Sequence, residues 1–241
     1  MVNKICVTFD IDWAPDFVLD YVLDLVKKSG IHTTWFVTHN SKTVKRIIEE
    51  ETIEAGIHPN FLAGSTQGDT PDRVMNKLMK IVPGARSVRT HAMVYSASIS
   101  RMFATYGLTI DSSLFLGGMA NIQPFVTQYP DNRRIIRAPY FWSDDGEITN
   151  TPKWEIPTCD GLKILCFHPI HVYLNTSRWD DYFLFKEQYK KFPFPEVVRK
   201  YTQNKRPGVR DYLNRILETD RMNLFTLRGI EEWTKRFGPN S

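Results

Sequence analysis

Apolar and polar positions change period along the chain, and the change predicts strands that alternate with helices. The runs "KICVTF", "TTWFV", "IEAGI" and "LKILCF" are largely apolar without a break, which favours buried strands. The stretch "PDFVLDYVLDLVKKSG" instead has apolar residues at helical spacing, with Pro15 and Asp16 at its start and Gly30 at its end. "SKTVKRIIEEE" and "TPDRVMNKLMKIV" predict two more helices, with Ser41 and Thr70 as their N-caps.

The same alternation continues to the end of the chain. "RSVRT", "LTIDSS" and "RIIRAP" predict strands, "SASISRMFATYG" and "VRDYLNRILETD" predict helices, and "NLFTL" and "GIEEWTKRF" predict a last strand and helix. The segments 117–157 and 173–194 are otherwise irregular and are predicted to form loops over one end. Because about seven strand–helix units follow without a repeat or a linker, we predict an α/β fold, a parallel barrel forming one domain over residues 1–241.

Composition narrows the class of protein. A hydrophobic content of 42% and a charged content of 24% are ordinary for a globular chain, and no apolar run reaches the ~20 residues of a membrane span. The net charge of +4 is too dispersed to favour nucleic-acid binding. Three cysteines, Cys6, Cys159 and Cys166, form no CxxC pair, and "MVNKICVTFDIDW" reads as a strand rather than a signal peptide. We therefore expect a cytoplasmic protein, of undetermined oligomeric state.

Polar residues that can do chemistry follow the predicted strands. Catalytic residues of a parallel barrel lie at the carboxyl ends of its strands, so these positions form the natural candidate set. Four of the six histidines lie there, and His32 and His39 flank the second strand. The strand-end residues, in chain order, are Asp10, Asp12, His58, Arg89, His91, Asp111, Arg137, His168 and His171.

The "DID" stretch suggests metal chemistry. Two carboxylates two residues apart point the same way on an extended strand, so one can bind a metal while the other accepts a proton. Zinc in catalytic sites takes three protein ligands and leaves one position for water, a demand that an Asp with two His would meet. A further histidine could protonate a leaving group. The pair alone is equally compatible with Asp10 and Asp12 capping the helix that begins near Pro15.

Several motifs resemble one known family. "VTFDIDW", "HTTWFV", "EAGIHPN", "VRTH" and "ILCFHP" are similar, in order and spacing, to the motifs of the polysaccharide deacetylases with NodB homology. The resemblance spans roughly Ile5 to His168 and implies a deformed (β/α)7 barrel similar to a TIM barrel. It also implies that Asp10 is the base, Asp12 a metal ligand, Arg89 the partner of the base and His168 the general acid. "FHPIHVYLN" is most similar to a branch found with surface-polysaccharide (O-antigen) biosynthesis.

The chain departs from that family at one metal ligand. The family's "HxxxH" motif is matched by His58, but Leu62 occupies the second histidine position and cannot bind metal. His91 follows Arg89 by two residues on the next strand, and neighbouring strands lie ~4.8 Å apart. We therefore predict that His91 replaces the missing zinc ligand, with Asn60 a weaker oxygen candidate. The alternative is a degraded site that no longer binds metal.

Further residues are expected to have supporting roles. A carboxylate of Asp144 or Asp145 is expected to orient His168 or His171, since carboxylates commonly fix an imidazole tautomer, and Asp145 is taken as the catalytic one. Arg137 is an alternative to Arg89 as the partner of Asp10. Aromatic rings that could stack on a sugar include Tyr173 and Trp179. The predicted substrate contacts are Trp13, Arg137, Tyr140, Trp142 and His171.

Together these features predict a deacetylase that depends on Zn²⁺ or another divalent metal. Its expected reaction is hydrolysis of an N-acetyl or O-acetyl group on a sugar unit, during synthesis of a surface polysaccharide. The partner would be an acetylated sugar or oligosaccharide. Two alternatives stay open: an amidohydrolase acting on a small cyclic amide, and a sugar-binding barrel without catalysis that has lost its metal.

Overall fold

One mixed sheet carries the strands of this chain. The computed structural model describes residues 4–149, 152–202, 206–218 and 224–237. In these ranges the strands are β1 Ile5–Asp10, β2 Thr33–Val37, β3 Ile53–Ile57, β4 Ser87–Val88, β5 Ile110–Asp111, β6 Phe125–Gln128, β7 Arg134–Arg137, β8 Trp142–Ser143 and β9 Lys163–Phe167. Their order in the sheet is β6-β7-β5-β4-β3-β2-β1-β9-β8.

Helices follow most of the strands. They are α1 Asp16–Ser29, α2 Lys42–Glu49, α3 Pro71–Ile81, α4 Ala97–Thr105, α5 Asp144–Thr149, α6 Pro169–Leu174, α7 Trp179–Lys191, α8 Pro195–Tyr201, α9 Val209–Leu217 and α10 Leu227–Phe237. A short 3-10 turn spans His91–Met93. Helix α1 packs against α2 and α6, and every residue of the central strands β1 and β2 is buried.

The sheet is parallel throughout except at one edge, where β6 pairs with β7 in the antiparallel sense. All seven strands predicted from "KICVTF" to "LKILCF" are present, as β1, β2, β3, β4, β5, β7 and β9. The sheet curls into a half-barrel whose two edge strands, β6 and β8, are not neighbours in the described sheet order. The predicted deformed (β/α)7 barrel is therefore confirmed, with the carboxyl ends of its parallel strands at one rim.

Capping residues begin and end the helices where the sequence predicts. The Ser41 hydroxyl accepts the Val44 N–H at 3.1 Å, and the Thr70 hydroxyl accepts the Arg73 N–H at 3.4 Å. Each bond satisfies one N–H that the first helical turn leaves without a partner. Gly30 ends α1 in a left-handed conformation with a φ of 66°, which glycine adopts without steric cost.

Two predicted segments have a different structure. The stretch 173–194 is predicted to be a loop, but most of it is α7, and 117–157 contains β6, β8 and α5 as well as β7. The pattern misses helix α7 because apolar residues lie on both its inner and its outer face, which hides the helical period. The predicted strand "NLFTL" is reduced to a single bridge between Leu224 and Ile5, and Asn223 lies outside the described residues.

Gly56 sits in β3 where a side chain would have no room. A Cβ there would meet the Ser87 hydroxyl at 2.5 Å, the Ser87 carbonyl oxygen at 2.8 Å and the Phe36 ring at 2.9 Å. We expect Gly56→Ala to lower the free energy of unfolding by about 1–3 kcal/mol, because the backbone of β4 must move. Urea denaturation measures this loss. Gly84→Ala is the control, since its Cβ would meet no described atom within 4 Å. Equal stability of the two variants would contradict the close packing around Gly56.

Candidate metal centre

Three side chains converge on one point at the rim of the sheet. Asp12 Oδ1 lies 3.3 Å from His58 Nε2 and 3.2 Å from His91 Nδ1, and the two nitrogens are 3.4 Å apart. Tetrahedral zinc with ligands at about 2.0–2.1 Å places ligand atoms about 3.3–3.4 Å from one another. The three atoms therefore have the spacing of one face of a zinc tetrahedron, and all three residues line the cavity described below.

Different strand ends hold these ligands. His58 follows β3, is buried, and donates its backbone N–H to the Val37 carbonyl at 2.8 Å. His91 lies beyond β4 and donates its backbone N–H to the Pro59 carbonyl at 2.9 Å. Asp12 follows β1, and the Thr38 hydroxyl donates to its carbonyl oxygen. Neighbouring strands thus bring together residues that are far apart in sequence.

The chain does not stay extended through "DID". Strand β1 ends at Asp10, and Asp12 has a left-handed φ of 44°. The two carboxylates consequently reach opposite nitrogens of one imidazole: Asp10 Oδ2 lies 3.9 Å from His58 Nδ1, whereas Asp12 approaches Nε2. Burial raises the pKa of Asp12, but hydrogen bonds with His58 and His91 outweigh it and hold that pKa well below its usual range. Asp12 is therefore ionised, as a metal ligand must be.

Leu62 points to solvent, and the side chain of Asn60 is engaged with the backbone. The Leu62 side chain is 47% exposed. The Asn60 carboxamide oxygen accepts the Leu62 N–H at 3.0 Å, so it is already engaged. The predicted convergence of His91 on His58 is present, and the two residues after His91, Ala92 and Met93, take left-handed φ values of 53° and 55°. His91 as the replacement ligand stays a prediction that this geometry supports.

Asp10 is held in place by an extensive set of buried contacts. Arg89 Nη1 donates to Asp10 Oδ1 at 3.0 Å and to the Thr8 hydroxyl at 2.8 Å. Arg89 also donates to the Ser112 carbonyl at 3.2 Å and the Ser112 hydroxyl at 3.0 Å. The Cys166 thiol donates to Asp10 Oδ2 at 3.3 Å, and burial raises its pKa well above the ordinary value. Cys166 lies in a buried strand and also supports the carboxylate.

Arg137 has a different partner. Its Nε lies 3.4 Å from Asp111 Oδ2, and its guanidinium lies 4.3 Å from the centre of the Tyr95 ring. Both members of this ion pair are buried. Arg89, and not Arg137, therefore contacts Asp10, and the burial of Arg137 beside Tyr95 disfavours the predicted contact of Arg137 with substrate.

His168 is oriented by Asp144. Its Nδ1 lies 2.6 Å from Asp144 Oδ1, and its backbone N–H donates to Asp144 Oδ2 at 2.7 Å. Its other ring nitrogen, Nε2, lies 3.9 Å from Asp12 Oδ2 and so faces the metal centre. Burial alone would lower the pKa of His168, but the Asp145 and Asp144 carboxylates outweigh it and raise that pKa well above its ordinary value.

Asp145 lies against His171 rather than His168, so each of the two carboxylates orients one histidine, as the sequence allows. A catalytic role for Asp145 stays a prediction. Asp145 Oδ1 lies 3.2 Å from His171 Nε2 but 3.8 Å from His168 Nδ1. His171 is buried, with its Nδ1 3.1 Å from the Thr176 hydroxyl, so it does not offer the predicted contact to substrate. Asp144, not Asp145, is the buried carboxylate at the start of α5, and adjacent carboxylates cannot be distinguished from sequence alone.

The aromatic candidates divide into two groups. Tyr140 is 8% exposed and lies against the Arg89 guanidinium, and Trp142 packs on Phe167 and Tyr212 with ring centres 5.0 and 4.8 Å apart. These contacts favour a packing role for both rings, and their predicted stacking on a sugar ring stays a prediction.

Trp13, by contrast, is 39% exposed at the rim of a cavity of about 380 Å³, a size typical of small-molecule sites. Sequence reasoning missed Gln67, which fastens this cavity wall by donating to the His58 carbonyl at 3.0 Å and accepting the Asn60 N–H at 2.7 Å. No motif marked it. The lining comprises Asp12, Trp13, Thr38, His39, His58, Asn60, Ser65, Thr66, Gln67 and His91.

Comparisons with known proteins give a family and similar solved structures. A family model described as WbmS-like polysaccharide deacetylase matches residues 7–186. A crystal structure from Bordetella bronchiseptica, described as a candidate polysaccharide deacetylase involved in O-antigen biosynthesis, is 31% identical, with a TM-score of 0.78 and 90% of each chain covered. Peptidoglycan deacetylase PdaC from Bacillus subtilis is 14% identical, with a TM-score of 0.51, covers 97% of this chain and 92% of its own, and shares the fold.

No curated protein matches the chain. Within the described ranges, no helix has both the length and the apolar character needed to cross a membrane.

Proposed function

Because the chain belongs to the WbmS-like family of polysaccharide deacetylases, we propose that it is a metal-dependent hydrolase that removes an acetyl group from a sugar unit of a surface polysaccharide. The observation that carries the proposal is the triangle of Asp12 Oδ1, His58 Nε2 and His91 Nδ1, with edges of 3.2 to 3.4 Å. A second histidine–carboxylate pair and a buried Asp–Arg pair flank it, which is the set of groups that hydrolysis of an amide or ester requires.

Asp12, His58 and His91 would hold the metal, zinc or another divalent ion. When bound, such an ion lowers the pKa of water toward about 7 and stabilises negative charge on a carbonyl oxygen. His58 and Asp12 are largely buried, and Gln67 holds the backbone beside His58, so these ligands are fixed before substrate arrives. Fixed ligands lower the reorganisation that the reaction needs.

Asp10 would accept the proton of the attacking water. Arg89 donates to Oδ1, whereas Oδ2 accepts only from the weaker donor of the Cys166 thiol, so Oδ2 is the oxygen that would receive the proton. The positive charge of Arg89, whose pKa Asp10 raises against the opposing effect of burial, stabilises the ionised carboxylate until that proton arrives. The buried Arg89 network keeps the carboxylate from rotating, which favours proton transfer in one direction.

His168 would supply a proton to the departing amine or alcohol. Its Nδ1 is bound to Asp144, so the proton would leave from Nε2, on the side of the metal centre. Because the carboxylates of Asp144 and Asp145 raise its pKa, His168 carries this proton at neutral pH. The leaving group therefore departs neutral, which lowers the barrier to breaking its bond with the acetyl carbon.

Asp144 and Asp145 provide a matched pair of variants. Asp144→Asn is expected to lower kcat by about 10–100-fold, because His168 loses the carboxylate that fixes its tautomer and its charge. Asp145→Asn should lower kcat less than Asp144→Asn does, since Asp145 raises the pKa of His168 through its charge but lies closest to His171. Acetate release measures kcat and KM, with metal content and thermal unfolding as checks on the fold. A larger loss for Asp145→Asn would reverse the assignment.

The direct test of the proposed function is acetate release from a panel of N-acetylated and O-acetylated sugars and oligosaccharides. The protein is first treated with a chelator and then supplied with Zn²⁺, Co²⁺ or Mn²⁺, and Asp12→Ala protein serves as the control for contaminating activity. Release that depends on metal supports the proposal. Ring opening of small cyclic amides without acetate release would favour the amidohydrolase, and binding of sugar without any turnover would favour the non-catalytic barrel.

We further propose that the reaction takes place in the cytosol, on a nucleotide-linked or lipid-linked sugar intermediate. Cys6, Cys159 and Cys166 are free, and two of them are buried, which suits a reducing compartment. Fractionation of cells that express the tagged protein tests this location. A processed, exported form with an internal disulfide would contradict it.

A further inference from the structure

Helix α7 carries apolar side chains on the face that is turned to solvent. Tyr182 and Phe185 are buried on its inner face, but Phe183 and Leu184 are 54% and 63% exposed. A helix on the surface of a globular protein normally presents polar residues on its outer face. The chain continues this pattern at the turn between α7 and α8, where Phe192 and Phe194 are 54% and 58% exposed. We call residues 183–194 the aromatic segment.

Basic residues surround the aromatic segment. Lys190 and Lys191 are exposed at the end of α7, and Arg199 and Lys200 are exposed at the end of α8. Residues 183–200 contain five basic residues and two acidic ones, and one of these acids, Glu187, is already paired with Lys190 at 3.1 Å. The exposed rings of Phe192 and Phe194 therefore lie beside a net positive charge, whereas the first turn of α7 carries Asp180 and Asp181.

We propose that the aromatic segment docks on the surface of an anionic lipid bilayer, lying in the interface without crossing it. Aromatic and leucine side chains beside lysines are the composition of interfacial helices, whose rings enter the acyl boundary while ammonium groups reach anionic head groups. A second copy of the chain is a poorer occupant, because a symmetric contact would place one positive surface against another.

Docking through the outer face of α7 would bring the bilayer close to the cavity. Trp13, which lines the cavity of the candidate metal centre, packs against Phe185 at 6.4 Å and against Tyr189 at 5.4 Å between ring centres. The inner face of α7 therefore borders the cavity rim, while its outer face carries the exposed apolar residues. A helix is about 10–12 Å across, so a bilayer on the outer face would bring a lipid-linked sugar close to the cavity. This last step rests on the proposed function; the docking does not.

Vesicle sedimentation tests the docking. The probes are phosphatidylcholine vesicles and vesicles in which about one-third of the lipid is phosphatidylglycerol. The protein is expected to sediment with the anionic vesicles, and added salt should weaken binding. The double variant Leu184→Gln with Phe192→Gln should bind at least about tenfold more weakly, since two apolar side chains no longer enter the interface. Lys190→Glu with Lys191→Glu should lose binding to the anionic vesicles as well.

A matched control uses equally exposed apolar residues elsewhere. Met119 and Phe125 are 55% and 48% exposed, and Met119→Gln with Phe125→Gln should leave vesicle binding unchanged.

Unaltered acetate release from a soluble sugar would show that the variants fold. Failure of the unmodified protein to sediment with anionic vesicles would overturn the proposal. So would a loss of vesicle binding in the Met119→Gln, Phe125→Gln protein as large as that in the Leu184→Gln, Phe192→Gln protein. Self-association that the Leu184 and Phe192 changes abolish, without an effect on vesicle binding, would make the segment an interface between copies. Vesicle binding by a protein that releases no acetate would leave the docking intact and remove only the proposed function.

Discussion

His91→Ala is expected to abolish tight metal binding as completely as His58→Ala does. A catalytic zinc site needs three protein ligands, and without His91 only Asp12 and His58 remain. The loss in affinity should exceed the ~10–100-fold that removal of an outer hydrogen-bond partner causes, because a ligand itself is removed. Metal titration of the chelator-treated protein measures this affinity, and acetate release should fall with it. Circular dichroism should be unchanged, since the His91 side chain is 36% exposed and not part of the core.

Leu62→Ala is the matched control for this experiment. In the family that the chain resembles, a histidine stands at this position, but here Leu62 is exposed and lies outside the residues that line the cavity. Leu62→Ala should therefore retain metal and activity. Metal affinity that survives His91→Ala would refute the ligand swap.

Asp10→Asn is expected to lower kcat by on the order of 10² or more while metal stays bound, because the base is lost and the ligands are not. The asparagine side chain retains a carbonyl oxygen that can accept the hydrogen bond from Arg89, so the hydrogen bonds of Arg89 should persist. Asp12→Asn is the contrasting change two residues along the chain, and it should release the metal. The measurements are the kcat of acetate release and the metal content of each purified variant.

The opposite result for the two aspartates would change the roles assigned to them. If Asp10→Asn emptied the metal site and left the rate per bound metal unchanged, the roles of the two aspartates would have to be exchanged. His168→Ala should resemble Asp10→Asn, with metal retained and turnover lost, because its Nε2 faces the centre without contributing to the ligand triangle.

The strand pattern is sufficient to predict which side chains meet at the rim of the sheet. Parallel strands with covered faces are recognisable as apolar runs, and their carboxyl ends meet at one rim, so the sequence alone places Asp12, His58 and His91 together. The details of that meeting do not follow from the pattern. The left-handed turn at Asp12 aims its carboxylate at the far nitrogen of His58, and only tertiary contacts such as the bond from Thr38 select that turn.

Other features depend on packing that a sequence does not reveal. Asp144 and Asp145 are identical neighbours, and only the start of α5 decides which carboxylate is buried against His168. Tyr140 and Trp142 are as aromatic as Trp13, but Tyr140 is buried against Arg89, and Trp142 is partly buried against Phe167. Helix α7 shows no clear helical period because its outer face is apolar, so the same feature that hides the helix marks its surface as unusual.

The three candidate ligands lie on chain segments that are distant in sequence, with Asp12 and His91 separated by 79 residues. A bound ion would join these segments only in the folded chain, so its binding free energy adds to the free energy of unfolding. At a free metal concentration one hundred times the dissociation constant, this linkage contributes about 2.7 kcal/mol. Metal supply would then affect the stability of the folded protein as well as the rate of the reaction. In a cell short of metal the protein would stay folded but would open more often, so proteases would remove it faster.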